Sequence, residues 1–168
     1  MISKRALAIL IVTMLLISII SICLTLFIKE DVPSLSETVV VSVDGVAEKT
    51  LTVDGLEIYP GEKRECIVFL KSELTGSFDA TLTFEEFGND NALKPYVDVK
   101  VFVSDAQVYE GALEELLSSG EINFSVNLDN TTAKQLKIQY LMDVNVGNDA
   151  QDATASFYVK LKINKFTV

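Results

Sequence analysis

The sequence predicts an all-β protein: an antiparallel β-sandwich, jelly-roll or immunoglobulin-like in connectivity, with one short helix and a transmembrane or signal helix ahead of it. Three observations carry this expectation. Beyond residue 36 the apolar residues recur with period two almost everywhere, the spacing of strands with one buried face. The alternating runs are short and are separated by Gly, Pro, Asn and Asp, which are turn formers. No stretch offers the long crossover helices that a parallel sheet requires.

The N-terminal element stands apart from that pattern. Ala6 to Ile28 (ALAILIVTMLLISIISICLTLFI) contains no charged residue. At a rise of roughly 1.5 Å per residue such a helix reaches roughly 34 Å, enough to cross the hydrocarbon core of a bilayer. Lys4 and Arg5 precede the span and Lys29-Glu30-Asp31 follows it. The positive-inside rule therefore places residues 1–5 in the cytoplasm and the rest of the chain, after the span 6–28, outside. A cleavable signal needs small residues at the cut, and LTLFI offers none. Ser34-Leu35-Ser36, just past Pro33, offers a late site, though the Lys29-Glu30-Asp31 cluster before it is unfavourable; Cys23 follows Ile22 where a lipoprotein signal wants a small residue, and the type IV pilin pattern is absent. The expectation is a single-pass anchor in the cell membrane, with secretion as the outcome if the signal is cut.

Residues 29–36 read as a tether and residues 37–168 as the extracellular sandwich. Val39, Val41 and Val43 form the first inward row, and Leu51 with Val53 the second, ended by a tight turn at Asp54-Gly55. Pro60-Gly61 turns the chain into Arg64 to Lys71, where Cys66, Val68 and Leu70 share one face and Ile67 and Phe69 make the opposite face apolar too. That second face is either covered by another segment or offered to a partner. Phe78 to Phe84 and Val97 to Val103 alternate, with Gly88 to Asn91 as loop between them. Tyr109 to Ser119 (YEGALEELLSS) breaks the pattern, with Leu113, Leu116 and Leu117 at helical spacing for a short helix or turn that plugs one end. Ile122 to Leu128, Leu136 to Met142 and Ala155 to Ile163 complete a set of about eight strands.

Composition excludes several functions. The part beyond Ile28 holds 12 Lys and Arg against 24 Asp and Glu, a net charge of −12, which repels nucleic acid and anionic membrane surfaces. The chain has no histidine, which removes the Ser-His-Asp triad, the Cys-His pair and the H-E-x-x-H zinc site together. Cys23 lies in the expected span and Cys66 in the exported part, so no disulfide framework exists, and Cys66 reads as a buried apolar side chain. Glu85 and Glu86 are adjacent on a strand, so their carboxylates point to opposite faces.

The polar corner Asp143 to Asp152 (DVNVGNDAQD) has the oxygen ligands calcium takes, with Asp143, Asn145, Asn148, Asp149 and Asp152 as the weak candidates. The EF-hand spacing fails, because Gly147 stands fifth and Thr154 occupies the place of the bidentate Glu. A hydrogen-bonded turn is the preferred reading, and no cofactor is expected. Asn123-Phe124-Ser125 and Asn130-Thr131-Thr132 match the N-glycosylation triplet, a pattern frequent by chance.

Three stretches carry a family resemblance. YPGEKRECIVFLKSELTGSFDATLTF, VYEGALEELLSSGEINFSV and GNDAQDATASFYVKLKI, in that order between Tyr59 and Ile163, resemble segments of the TasA/camelysin family. The corner matches its "GN-x-x-Q-G" element except that Asp152 stands where the family usually has Gly. The family's alanine-rich cleavage region and its tail after the last strand are not matched. The resemblance implies an exported bacterial or archaeal surface protein with a jelly-roll-like sandwich, structural or adhesive in role; the missing metal-binding and nucleophile-activating side chains make a non-catalytic protein the expectation. Its partners would be the membrane, through the N-terminal helix, and further copies or other matrix proteins. Apart from the resemblance, Glu37 to Val43 (ETVVVSV) follows the tether with valines on both faces and little charge; it either forms the first strand at the edge of its own sheet, the preferred reading, or is donated to the open edge of a neighbouring copy. The alternative the resemblance implies is a camelysin-like surface metallo-endopeptidase, for which the sequence holds no zinc-binding histidine.

Overall fold

The computed structural model describes residues 35–88, 91–147, 150 and 152–165. The expected membrane span, residues 6–28, lies outside the described residues, as do Asn148 and Asp149. Nine strands, one α-helix and a short 3-10 helix (Lys94–Tyr96) are seen among the described residues: β1 (Leu35–Val41), β2 (Val46–Leu56), β3 (Lys63–Ser72), β4 (Gly76–Glu86), β5 (Val97–Val103), β6 (Ala106–Ala112), α1 (Leu113–Ser119), β7 (Glu121–Leu128), β8 (Lys134–Met142) and β9 (Ala155–Lys165).

The strands form two sheets, one in the order β1-β3-β8-β5-β6 and the other β2-β9-β4-β7. Alternation explains why. Every second side chain of β4, β5, β8 and β9 is buried and the residues between them face outward, so each sheet has one apolar face. The buried residues of both sheets belong to one continuous core, in which Phe157 of β9 meets Tyr140 of β8 edge-on at 5.6 Å and Phe84 of β4 at 6.1 Å. Phe78, Leu82, Val99, Leu136 and Phe157 are fully buried, as period two predicts for their strands.

The pairing is nested: β2 with β9, β3 with β8, β4 with β7 and β5 with β6, all antiparallel. Two lateral pairings, β4 with β9 and β5 with β8, join these ribbons into sheets. The last strand is therefore internal, flanked by β2 and β4. The exception to antiparallel order is β1, which lies parallel to β3 from Leu35↔Cys66 to Val41↔Ser72. It begins at Leu35, inside the stretch expected to be tether, and ends before Val43, which is exposed in the turn that follows. A parallel arrangement is available because the chain leaves β1 through a turn that carries it into the other sheet at β2.

Two further expectations are corrected. Asp54-Gly55 does not end a strand; β2 continues to Leu56 through a bulge against β9, with Gly55 at φ +61°. The same sequence serves both purposes, since a glycine at positive φ suits a bulge as well as a hairpin. The segment Tyr109 to Ala112 is strand, not helix, and only Leu113–Ser119 is helical. β6 went undetected because it is an edge strand with little alternation, and because its hairpin turn is Ser104-Asp105 rather than Asn-Gly. Both turn residues adopt positive φ (48° and 68°), as primed hairpin turns require.

The short helix does plug the core. Leu113 and Leu116 are buried, Leu117 packs against the same cluster, and Glu114 and Glu115 sit in the first turn where the helix dipole favours acids. Ahead of it, Tyr109 folds across Gly111 so closely that a Cβ at Gly111 would overlap the tyrosine hydroxyl. Gly111→Ala is therefore expected to lower stability by about 1–3 kcal/mol, the usual cost of overpacking. In Tyr109→Ala background the same substitution is expected to cost almost nothing. Urea midpoints of the four chains in this cycle measure it, and equal costs in both backgrounds would contradict the packing account.

Candidate functional site

The strongest convergence of unusual side chains lies where β1 covers the start of β3. Glu37, Val39 and Val41 have one parity on β1; the two valines are buried in the core and Glu37 stands at its rim. Across the gap, Lys49 of β2 shares its parity with Leu51, which is buried. Its Nζ lies 2.6 Å from Glu37 Oε2, so the pair joins the two sheets. The approach is off the hydrogen-bonding direction, and Oε2 is shielded from solvent without an aligned donor. Beside β1, on β3, Cys66 is buried, and the Tyr140 hydroxyl of β8 is fully enclosed without a hydrogen-bond partner. Burial lifts the Cys66 thiol to about 11, with the Glu37 carboxylate as the second cause. Burial, and then Cys66, raises Tyr140 well above the ordinary tyrosine value. Such a thiol is neutral at physiological pH and a poor nucleophile. Sequence alternation foresees Cys66 as a core residue but gives no sign of the Glu37–Lys49 pair, which depends on how two different sheets meet.

The polar corner is held as a set of turns. Asp143 Oδ1 accepts from the Asn145 backbone N–H at 2.7 Å and from Asn145 Nδ2 at 2.8 Å, so both candidate ligands are engaged with each other. The Val146 N–H donates to the Asp143 carbonyl and the Ala153 N–H to the Ala150 carbonyl, closing successive turns. The corner is tied to the β4–β5 connection, where Leu93 N–H donates to the Thr154 carbonyl and Ser156 N–H to Asn91 Oδ1. Asp152 is exposed at φ +59°, a left-handed conformation that explains why glycine suits this position.

The remaining candidates are separated. Glu85 pairs with Lys160 at 2.6 Å and Glu86 with Lys94 at 2.7 Å, so the adjacent carboxylates serve different ion pairs within the chain. Asn123 is on β7 and its side-chain oxygen accepts from Thr81 Oγ1 at 2.7 Å. Asn130 is exposed in a turn closed by Asp129, whose carboxylate accepts from the Thr131 hydroxyl and from the Thr131 and Thr132 N–H groups.

The fold thus defines a class, two mainly antiparallel sheets about one core, without naming a particular protein. No family model matches the chain, and no curated protein matches it. Among solved structures it is similar to a β-glucosidase from Paenibacillus barengoltzii, at 9% identity over 79% of this chain with a TM-score of 0.36. It spans only 12% of that enzyme's chain. It is also similar to the periplasmic g-type lysozyme inhibitor PliG of Aeromonas hydrophila, at 13% identity over 77% of this chain and 97% of that one, with a TM-score of 0.31. Likenesses at these TM-scores carry no argument about what this chain does.

The raised thiol has a consequence for stability. Its folded value of about 11 lies above the ordinary 9.0, so the neutral form favours the folded state. That contribution is complete below pH 9.0 and is lost as pH rises through about 11, and Tyr140 acts in the same direction. The urea midpoint is expected to fall across this window, and to fall less in Cys66→Ala. An equal fall in both chains would show that the thiol is not the source.

Proposed function

We propose that this chain is a cell-surface or extracellular-matrix structural or adhesion protein resembling the TasA/camelysin family, non-catalytic, and self-associating by strand donation. In this reading Ala6 to Ile28 anchors it in the cell membrane with the β-domain outside, and cleavage of that segment releases it. The domain is a jelly-roll rather than an immunoglobulin-like sandwich. The nested order β2·β9, β3·β8, β4·β7, β5·β6 supports this, because rolling one long antiparallel ribbon produces that order. The stretches that carry the resemblance serve packing: Tyr109 over Gly111, Leu113 and Leu116 in the core, and Asp152 at positive φ. A non-catalytic role is supported by the lack of any histidine in the sequence and by the poor nucleophilicity of Cys66.

The observation that carries strand donation is the position of β1. It is the first strand after the expected anchor, it lies at a sheet edge, and it pairs along one side only, in parallel with β3. Removing such a strand breaks no other pairing and leaves β3 with a row of open backbone groups, which recruit a strand from wherever one is supplied. Residues 35–168 and 44–168, expressed separately, test this by light scattering. The longer form is expected to grow in size with concentration. The shorter form is expected to be less stable and to regain stability with a peptide LSETVVVSV. If the longer form stays monomeric at every concentration and pH, and the shorter form is equally stable, strand donation is wrong.

A further inference from the structure

We infer that Glu37 and Lys49 form a latch that decides whether β1 stays in its own groove, and that this latch regulates exposure of Cys66 and of the β3 edge. β1 is paired along one side only, and its last carbonyl, that of Val41, accepts from the Glu73 N–H at 3.0 Å. Its backbone bonds run to one neighbour, and Val39 and Val41 are the described side chains it commits to the core. Glu37 is the costly group it brings along. A carboxylate oxygen shielded from water costs free energy unless a charge or donors compensate it. Here Oε2 has no aligned donor, so the ammonium of Lys49 at 2.6 Å is what offsets its burial. The same carboxylate would repel a Cys66 thiolate, which, after burial, is part of why that thiol stays protonated.

The two partners belong to different sheets, so the ion pair closes the rim where β1 passes over the core. The hinge is short and defined. Ser42 to Gly45 joins β1 to β2, with Gly45 N–H donating to the Ser42 carbonyl at 2.9 Å and the Asp44 carboxylate accepting from the Ser42 hydroxyl and from the Val46 N–H. When the latch opens, β1 swings out about this turn, Cys66 meets solvent, and β3 presents an unpaired edge. Neutralising Lys49 leaves an uncompensated carboxylate at the rim, which favours the open form. Exchanging the two charges keeps the latch. The step from open β1 to a polymer rests on the strand-donation reading above; the latch itself does not.

The test uses the full-length chain in detergent micelles with Cys23→Ser, which leaves Cys66 as its sole thiol. Alkylation of Cys66 by iodoacetamide, followed by intact mass, reads the fraction of time β1 is open. Lys49→Met is expected to raise the rate about tenfold, the scale of a partly exposed pair whose loss also strands a shielded charge. The exchanged pair, Glu37→Lys with Lys49→Glu, is expected to return the rate to that of the parent, which a merely space-filling role for these side chains would not produce. An unchanged rate in Lys49→Met, or no recovery in the exchanged pair, overturns the latch. Should Lys49→Met fail to fold, the parent carries the test: raising ionic strength from about 0.05 M to about 1 M screens the pair and is expected to quicken alkylation, and a flat response overturns it. Light scattering on the same samples separates the two ideas. Fast alkylation without growth in size upholds the latch and rejects strand donation.

Discussion

One strand decides whether the second sheet exists. β9 enters between β2 and β4, and neither of those strands pairs with the other. Ala155, Phe157, Val159, Leu161 and Ile163 are all buried, and Phe157 touches Phe84 within its own sheet and Tyr140 across the core. Without β9, β2 has no partner and β4 keeps only β7. The strand that everything else waits for comes last in the order of the described strands. Folding therefore needs contacts of very long sequence separation, such as Val46↔Asn164, which makes formation of this topology slow. The polar corner before β9 serves that event: its turns and its ties to Leu93 and Asn91 aim the strand into the gap.

At the opposite extreme is β1. It is the first described strand of the fold, paired on one side and tied at the rim to the other sheet by the Glu37–Lys49 ion pair. The nested ribbon from β2 to β9 is complete without it. A domain built this way has a closed ribbon and a separable edge. What β1 covers is the edge of β3, alongside Cys66 and Val68 of its inward face.

Most of the fold was legible because burial in a two-sheet protein imposes period two, and eight strands obey it. The failures share a cause. β6 escaped because an edge strand has no second neighbour to force alternation, and its Ser104-Asp105 turn lacks the usual residues. The direction of β1 escaped because periodicity is blind to orientation. Asp54-Gly55 was ambiguous because turn and bulge draw on the same glycine conformation. Of the candidate site, Cys66 was visible from its parity with Val68 and Leu70. The Glu37–Lys49 pair was not, since it is created by two sheets meeting, and no local pattern encodes that.

The division between a closed ribbon and a separable edge is tested most directly by native-state hydrogen exchange of the domain. The amides of β9, from Phe157 to Ile163, are expected to exchange only through global unfolding, with the largest protection in the chain. The amides of β1 and the β3 amides that face it are expected to exchange far faster, by a local opening that leaves β9 untouched. Equal protection of β1 and β9, with the same dependence on denaturant, would mean the domain opens as one unit and would contradict the account.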